Sequence, residues 1–260
     1  MTADEIIAAL PADARVLVQG SAGESRALAQ AVSRSPRTDL SFAGVWLPGI
    51  NGETYGAERG RRVTTFFLTP QLKAAGPSVE FLPLGYNDIR AYLQAQTFDA
   101  FIAMLAPADE AGVCSFGAAV DFIPELWPRV PMRIGHLNPL APRTHGHEGV
   151  PRNALTHVLE HAEPLTNAPP DREDDVSRAI ANHFAKLVPE AATLQAGIGK
   201  LPGACLRTLK QRRGLRIYSV RWPMRQSSPA WHLVRNASTQ RLGRRDLSFG
   251  RSCARIRPPS

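Results

Sequence analysis

The chain has 260 residues, a hydrophobic share of 43% and a formal net charge of +8 at pH 7. That composition is ordinary for a globular protein, and no run of eighteen apolar residues is present, which excludes a transmembrane helix. The charge excess belongs to one end: nine arginines stand between Arg221 and Ser260 against a single acid, Asp246, so the basic balance is a tail property and not that of a nucleic-acid-binding fold.

The start, MTADEIIAALPADARV, carries two acids before its apolar stretch and lacks the basic region of a secretory signal. Its apolar Ile6 and Leu10 predict a short helix closed by Pro11. Residues 15–19 (RVLVQ) read as a buried strand of β-branched and aliphatic residues. Gly20, Ser21, Ala22 and Gly23 form a turn, and residues 24–32 are expected to continue as a helix with Glu24 in its first turn, where a carboxylate suits the macrodipole. Strand candidates follow at 41–47, 64–68, 79–84, 99–105 and 131–138, with amphipathic helices at 87–96 and 175–187. Strands alternating with helices predict an open, mostly parallel α/β sheet, and the continuous apolar run Phe101 to Leu105 suits a buried parallel strand.

The strand–glycine–helix pattern returns in ATLQAGIGKLPGA, residues 192–204. A strand feeds Gly197, Ile198 and Gly199, and a helix is expected over 204–210. Such a turn sets backbone N–H groups at a helix N-terminus, and glycine lets a ligand approach the main chain closely. A tight βα connection with no ligand is an equal reading of this pattern taken alone. Between the two units, residues 167–170 (NAPP) and an acid-rich stretch mark a linker.

Residues 106–121 (APADEAGVCSFGAAVD) form a loop at the carboxyl end of an apolar strand, a common place for function. Asp109 and Glu110 are adjacent, and turn neighbours point apart, which disfavours a paired acid and base. Cys114 reads as a small buried thiol, because no histidine and orienting group accompany it. His136, His145 and His147 lack a neighbouring carboxylate cluster, so no metal is expected. The three cysteines, odd in number and far apart, fit a reducing compartment, with cytoplasm as the default.

Taken in order, FLTPQL (67–72), FDAFIAMLAPADEAGVCSFGAAVD (98–121), GHLNPLAPRTHG (135–146) and ATLQAGIGKLPGA (192–204) resemble the acetyl-CoA hydrolase/transferase family, which includes 4-hydroxybutyrate, acetate and succinyl CoA-transferases. The resemblance covers roughly residues 10–219. It implies two related α/β domains with the active site in the cleft between them, an N-terminal domain over 1–165, a linker over 166–177 and the start of a second domain over 178–220. It also implies CoA transfer between an acyl-CoA of the acetyl type and a short carboxylate in acetate metabolism, with thioester hydrolysis as the alternative. Coenzyme A would be a substrate, with no tightly bound cofactor, and intact relatives would be homo-oligomers. In this family a glutamate attacks the thioester and carries CoA covalently. Gly20, Ser21, Ala22, Gly23, Asn138, Gly197, Ile198 and Gly199 would line the pocket for CoA and substrate, with the Gly197–Gly199 amides stabilising the oxyanion.

The sequence departs from that pattern after residue 219. The family's nucleophile lies on the strand following the GIG turn, within an H-T-E-like pattern; here that strand reads GLRIYSV, and the position after Ser219 is Val220. No glutamate follows Glu190, so no catalytic residue is assigned and turnover is expected to be impaired. Residues 221–260 hold no sustained period. Lysine is scarce throughout, and Arg, Ser, Pro, Gly and Trp are what a shifted frame of a GC-rich gene encodes. The tail is therefore expected to be non-native or disordered and the second domain incomplete. The rival from another class is an inactive fragment or interaction module with a basic arm; nucleic acid is the less favoured partner, and a membrane is not expected.

Overall fold

The computed structural model describes residues 1–144, 147–166, 174–197 and 199–219. The tail 221–260, Val220, Ile198, His145 and the expected linker 167–170 lie outside the described residues. The described chain falls into two compact units, residues 1–166 and residues 174–219.

The first unit runs α1 (Ala3–Ala8), β1 (Arg15–Val18), α2 (Arg26–Arg34), β2 (Ser41–Gly44), β3 (Val63–Thr65), α3 (Pro70–Ala74), β4 (Val79–Phe81), α4 (Tyr86–Ala95), β5 (Ala100–Leu105), β6 (Val113–Cys114), α5 (Ile123–Leu126), β7 (Met132–Leu137), β8 (Val150–Pro151) and β9 (His157–Glu160). Seven strands form one sheet in the order β4-β3-β2-β1-β5-β7-β9, and every pairing in it is parallel. β6 and β8 make a separate antiparallel pair.

Strand periodicity divides the core. Val16, Val18, Ala100 and Ile102 pack with Leu28, Val32 and Ile6 of α2 and α1 on one face. Leu17, Phe101, Ala103 and Leu105 pack with Ile89 and Leu93 of α4 and Leu126 of α5 on the other. Both faces are covered, so β5 is buried at every position from Ala100 to Leu105.

Local chemistry sets the element ends. Thr2 and Glu5 form a reciprocal capping box on α1. Thr69 caps α3 with Pro70 in its first turn. The expected helix over 24–32 is corrected: Ser25 is the N-cap, its hydroxyl accepting from Leu28 N, so α2 starts at Arg26 and Glu24 precedes it. β9 was not anticipated; its burial alternates weakly and it holds His157 and Glu160.

The second unit runs α6 (Asp175–Leu187), β10 (Thr193–Ala196), α7 (Lys200–Thr208) and β11 (Arg216–Ser219). β10 and β11 pair in parallel, Thr193 opposite Arg216, and Val188, Leu209 and Leu215 form its small core with Phe184 and Leu194. The helix expected over 204–210 starts four residues earlier, with Pro202 in its first turn, where its missing N–H costs nothing. Among the described residues, no helix is long and apolar enough to cross a membrane.

Candidate functional site

From β1 the chain adds strands outward to β4, then returns to place β5 on the other side of β1. In open α/β sheets ligands bind outside the carboxyl ends of the strands at such a reversal. Here that point is bridged by Gln19, a fully buried residue directly after β1. Its Oε1 accepts from Met104 N at 2.8 Å, and its Nε2 donates to the Ala119 carbonyl.

The Gly20–Gly23 turn follows. A Cβ on Gly20 would stand 1.8 Å from the Val45 carbonyl oxygen, and one on Gly23 would stand 2.4 Å from the Gln19 side chain. Both glycines therefore answer a close approach by the protein's own atoms. Ser21 is left-handed at φ 53, a conformation that costs a non-glycine residue energy unless its surroundings hold it. Asn51 holds it: Ser21 N donates to Oδ1 at 3.1 Å, and Nδ2 donates to Ser21 O at 3.0 Å. The same amide accepts from Leu47 N at 2.8 Å and donates to Glu24 Oε2 at 3.0 Å.

The first amides of α2 are already occupied. Glu163 accepts from Arg26 N at 2.9 Å and Ala27 N at 3.1 Å, so an internal carboxylate fills the anion position of this helix. Asn138, at the end of β7, positions that segment. Its Nδ2 donates to Glu163 O at 2.7 Å, and its Oδ1 accepts from Leu140 N and Glu163 N. It is fully buried. His136 is equally committed. Its Nε2 lies 2.8 Å from the His161 carbonyl, which only accepts, so Nε2 carries the proton and Nδ1 accepts from the Ser25 hydroxyl at 2.8 Å. Burial pushes its pKa below 6.5, favouring the neutral ring.

Beside these groups opens a cleft of about 390 Å³ lined by Glu24, Arg26, Ile50, Glu53, Leu165 and Thr166. Burial raises the Glu24 carboxyl from 4.5 to about 7 against the opposing Asn51 hydrogen bond. Burial likewise raises Glu53, with Arg26 pulling it back. Asp121 is pushed up to about 6 by burial, although the Gly20 N–H bonds its carboxylate. This corner of the sheet thus concentrates carboxyls whose pKa burial raises.

The 106–121 loop is built by its own bonds. Asp109 accepts from Ala111 N and Val113 N and pairs with Arg143 at 2.9 Å. Cys114 is buried, and burial raises its thiol pKa, which disfavours the thiolate. His147 Nδ1 accepts from Gly149 N. Among the described residues, no group of three or more His, Cys, Asp or Glu side chains is arranged around a metal position.

In the second unit, the glycines after β10 behave differently from Gly20 and Gly23. Nothing lies within 4 Å of a Cβ built on Gly197, and Gly199 has φ 131, a value that L side chains rarely adopt. Gly199 is the N-cap of α7, without a side-chain cap. Lys200 pairs with Asp174, whose carboxyl this bond holds below the ordinary range while Asp174 also caps α6. Gly20 to Gly23 and Asn138 thus gather in the first unit, and Gly197 and Gly199 in the second.

Gln19, Asn51 and Glu163 were missed in the sequence. Gln19 left a trace, a polar residue ending an apolar strand, and Asn51 sits in an Asn-Gly pair that reads as an ordinary turn. Glu163 left none.

No protein-family model matches the chain. The 4-hydroxybutyrate coenzyme A transferase of Clostridium kluyveri is 25% identical over 226 residues, covering 84% of this chain and 53% of that protein. A succinyl-CoA:cyclohexane-1-carboxylate CoA transferase of Geobacter metallireducens is 26% identical over 141 residues, 54% of this chain and 32% of that protein. The RipA structure from Yersinia pestis superimposes with a TM-score of 0.75 at 23% identity, over 84% of this chain and 55% of that one, a likeness of fold. The chain therefore spans about half the length, or less, of the proteins it matches. On these likenesses the chain is similar in sequence to CoA transferases, and its parallel sheet shares the fold of the RipA structure.

Proposed function

We propose that this chain binds coenzyme A and its short acyl esters, as the part of a CoA-transferase that takes an acyl-CoA of the acetyl type and a carboxylate acceptor. Residues 1–165 are the N-terminal domain in this reading and residues 178–220 the opening of a related second domain. The observation that carries it is the Gly197–Gly199 turn at the start of α7, where the Gly197 main chain is open to close approach and Gly199 adopts a backbone angle suited to glycine. Backbone amides at a helix N-terminus suit a thioester oxygen or an anionic group. Within the first unit, the Gly20–Gly23 turn and the segment fixed by Asn138 are the residues this reading assigns to the ligand. The likeness to the transferases of Clostridium and Geobacter, whose names state CoA transfer, supports the same class.

The strand corresponding to β11 presents no glutamate after Ser219, so binding is expected without ordinary turnover. Loss of a covalent nucleophile costs several orders of magnitude in rate. Titration calorimetry with acetyl-CoA tests the binding, and absence of heat at about 1 mM ligand would overturn it. Radiolabelled acetate supplied with an acyl-CoA tests the chemistry. Label entering a CoA ester at an enzymatic rate would show a nucleophile elsewhere, and release of free acid without label transfer would point to hydrolysis.

A further inference from the structure

We infer that Asn51 is a positioning residue for the acyl-CoA site, fixing the Ser21–Gly23 turn in its ligand-facing shape; this rests on the reading that the turn lines that site. An amide side chain has two donor hydrogens and two acceptor lone pairs, and Asn51 spends all four. Its Oδ1 takes Leu47 N and Ser21 N, and its Nδ2 gives to Ser21 O and Glu24 Oε2. The two bonds to Ser21 grip one residue on both sides of its strained backbone angle, and the bond from Leu47 anchors the grip to the chain after β2.

The cleft is lined by Ile50 and Gly52, the chain neighbours of Asn51, and by Glu24, its hydrogen-bond partner. A turn held in a left-handed conformation at a non-glycine position is a device for presenting one backbone shape before the ligand arrives, which reduces the ordering cost of binding. Alanine at 51 removes all four bonds, and Ser21 relaxes. Aspartate at 51 keeps the two acceptor bonds but loses both donors. Its bond to Glu24 then requires the proton on the Glu24 carboxyl. Tyr55, whose hydroxyl lies 3.3 Å from Glu24 Oε1, stays protonated, while Glu53 and Glu163 oppose ionisation of Glu24 and Arg26 lies beside Glu53.

The experiment compares the full chain with Asn51→Ala and Asn51→Asp by acetyl-CoA calorimetry at pH 6 and pH 8, with amide hydrogen exchange alongside. Asn51→Ala is expected to weaken acetyl-CoA about tenfold or more and to speed exchange at residues 21–24 while β5 and α4 keep their protection. Asn51→Asp, which lacks the bond to Ser21 O at either pH, is expected to bind severalfold more weakly than wild type at pH 6 and about tenfold more weakly again at pH 8, with faster exchange confined to residues 21–24 at both pH values. Wild-type binding with Asn51→Ala within twofold of it overturns the inference, as does faster exchange spread evenly over the whole sheet. If the wild type itself does not bind acetyl-CoA, the proposed function fails, and the inference falls with it as a statement about that site. If Asn51→Ala does not fold, the near-isosteric aspartate variant decides the matter: equal affinity at both pH values overturns the inference.

Discussion

Glu163 caps the helix that begins at Arg26, 137 residues earlier in the chain, by accepting from the amides of Arg26 and Ala27. The bond ties the segment after β9 to the turn after β1, and it uses the helix N-terminus that a sequence reading assigns to a ligand. Glu163→Ala should cost about 2 kcal/mol, the loss of a cap with two amides left unpaired, and Glu163→Gln about half that, because a neutral amide retains one acceptor. Chemical denaturation at pH 7 measures both. Equal stability of all three proteins would show that the cap contributes nothing.

Glu24 should make the fold less stable as pH rises. Its carboxyl titrates at about 7 when folded, against an ordinary value of 4.5, so the folded state holds the proton more tightly. The stabilisation is full below pH 4.5 and is lost as pH climbs through 7, amounting to about 3 kcal/mol for this buried group. Glu24→Gln, which keeps an acceptor for Asn51 without a titrating proton, should flatten that decline between pH 6 and pH 8.5. Parallel melting curves of the two proteins across this range would count against it.

His136 works in the opposite direction. Its folded pKa lies below 6.5, so the neutral ring is the native form, and stability falls as pH drops through that value. Protonation would put a hydrogen on Nδ1 where the Ser25 hydroxyl now donates. Nuclear magnetic resonance of the imidazole should show Nε2 protonated at pH 7, and His136→Gln should remove the loss of stability between pH 6.5 and 5.

Two glycine substitutions should separate packing from binding. Gly20→Ala drives a methyl group into the Val45 carbonyl and should destabilise by about 3 kcal/mol or more, or prevent folding. Gly197→Ala meets nothing within 4 Å and should leave the melting temperature almost unchanged. On the proposed function it should nonetheless weaken acetyl-CoA binding, since the methyl group stands where the ligand approaches. Unchanged affinity would remove Gly197 from the site.

The strands were legible because their burial is local in pattern: Phe101 to Leu105 is apolar throughout and is buried throughout. Observed strands are shorter than expected, as at Ser41–Gly44, because Val45 to Leu47 leave the ladder while remaining apolar enough to pack. The Gly20–Gly23 turn was legible as a turn, and what holds it was not. Gly20 and Gly23 stood out, yet what demands them is Val45 and Gln19, and no local signal reports a carbonyl arriving from another strand's end. Glu24 looked like a first-turn acid because Ser25, one position later, is an equally good cap, and the true boundary depends on the Leu28 amide. Glu163 lies far from every residue it serves.

The reversal in strand order has a consequence for how the molecule forms. Gln19 meets Ala119 across 100 residues, Ser25 meets His136 across 111, and Arg26 meets Glu163 across 137. Closing such distant pairs costs chain entropy before any bond repays it, so the crevice belongs to the late, slow part of folding. As the chain emerges from the ribosome, β1 can pair with β2 early but must wait for β5, and α2 stays without its carboxylate until the residues beyond β9 arrive. Damage anywhere in that long interval should surface first at one place, the crevice, before the hydrophobic faces of the sheet feel it.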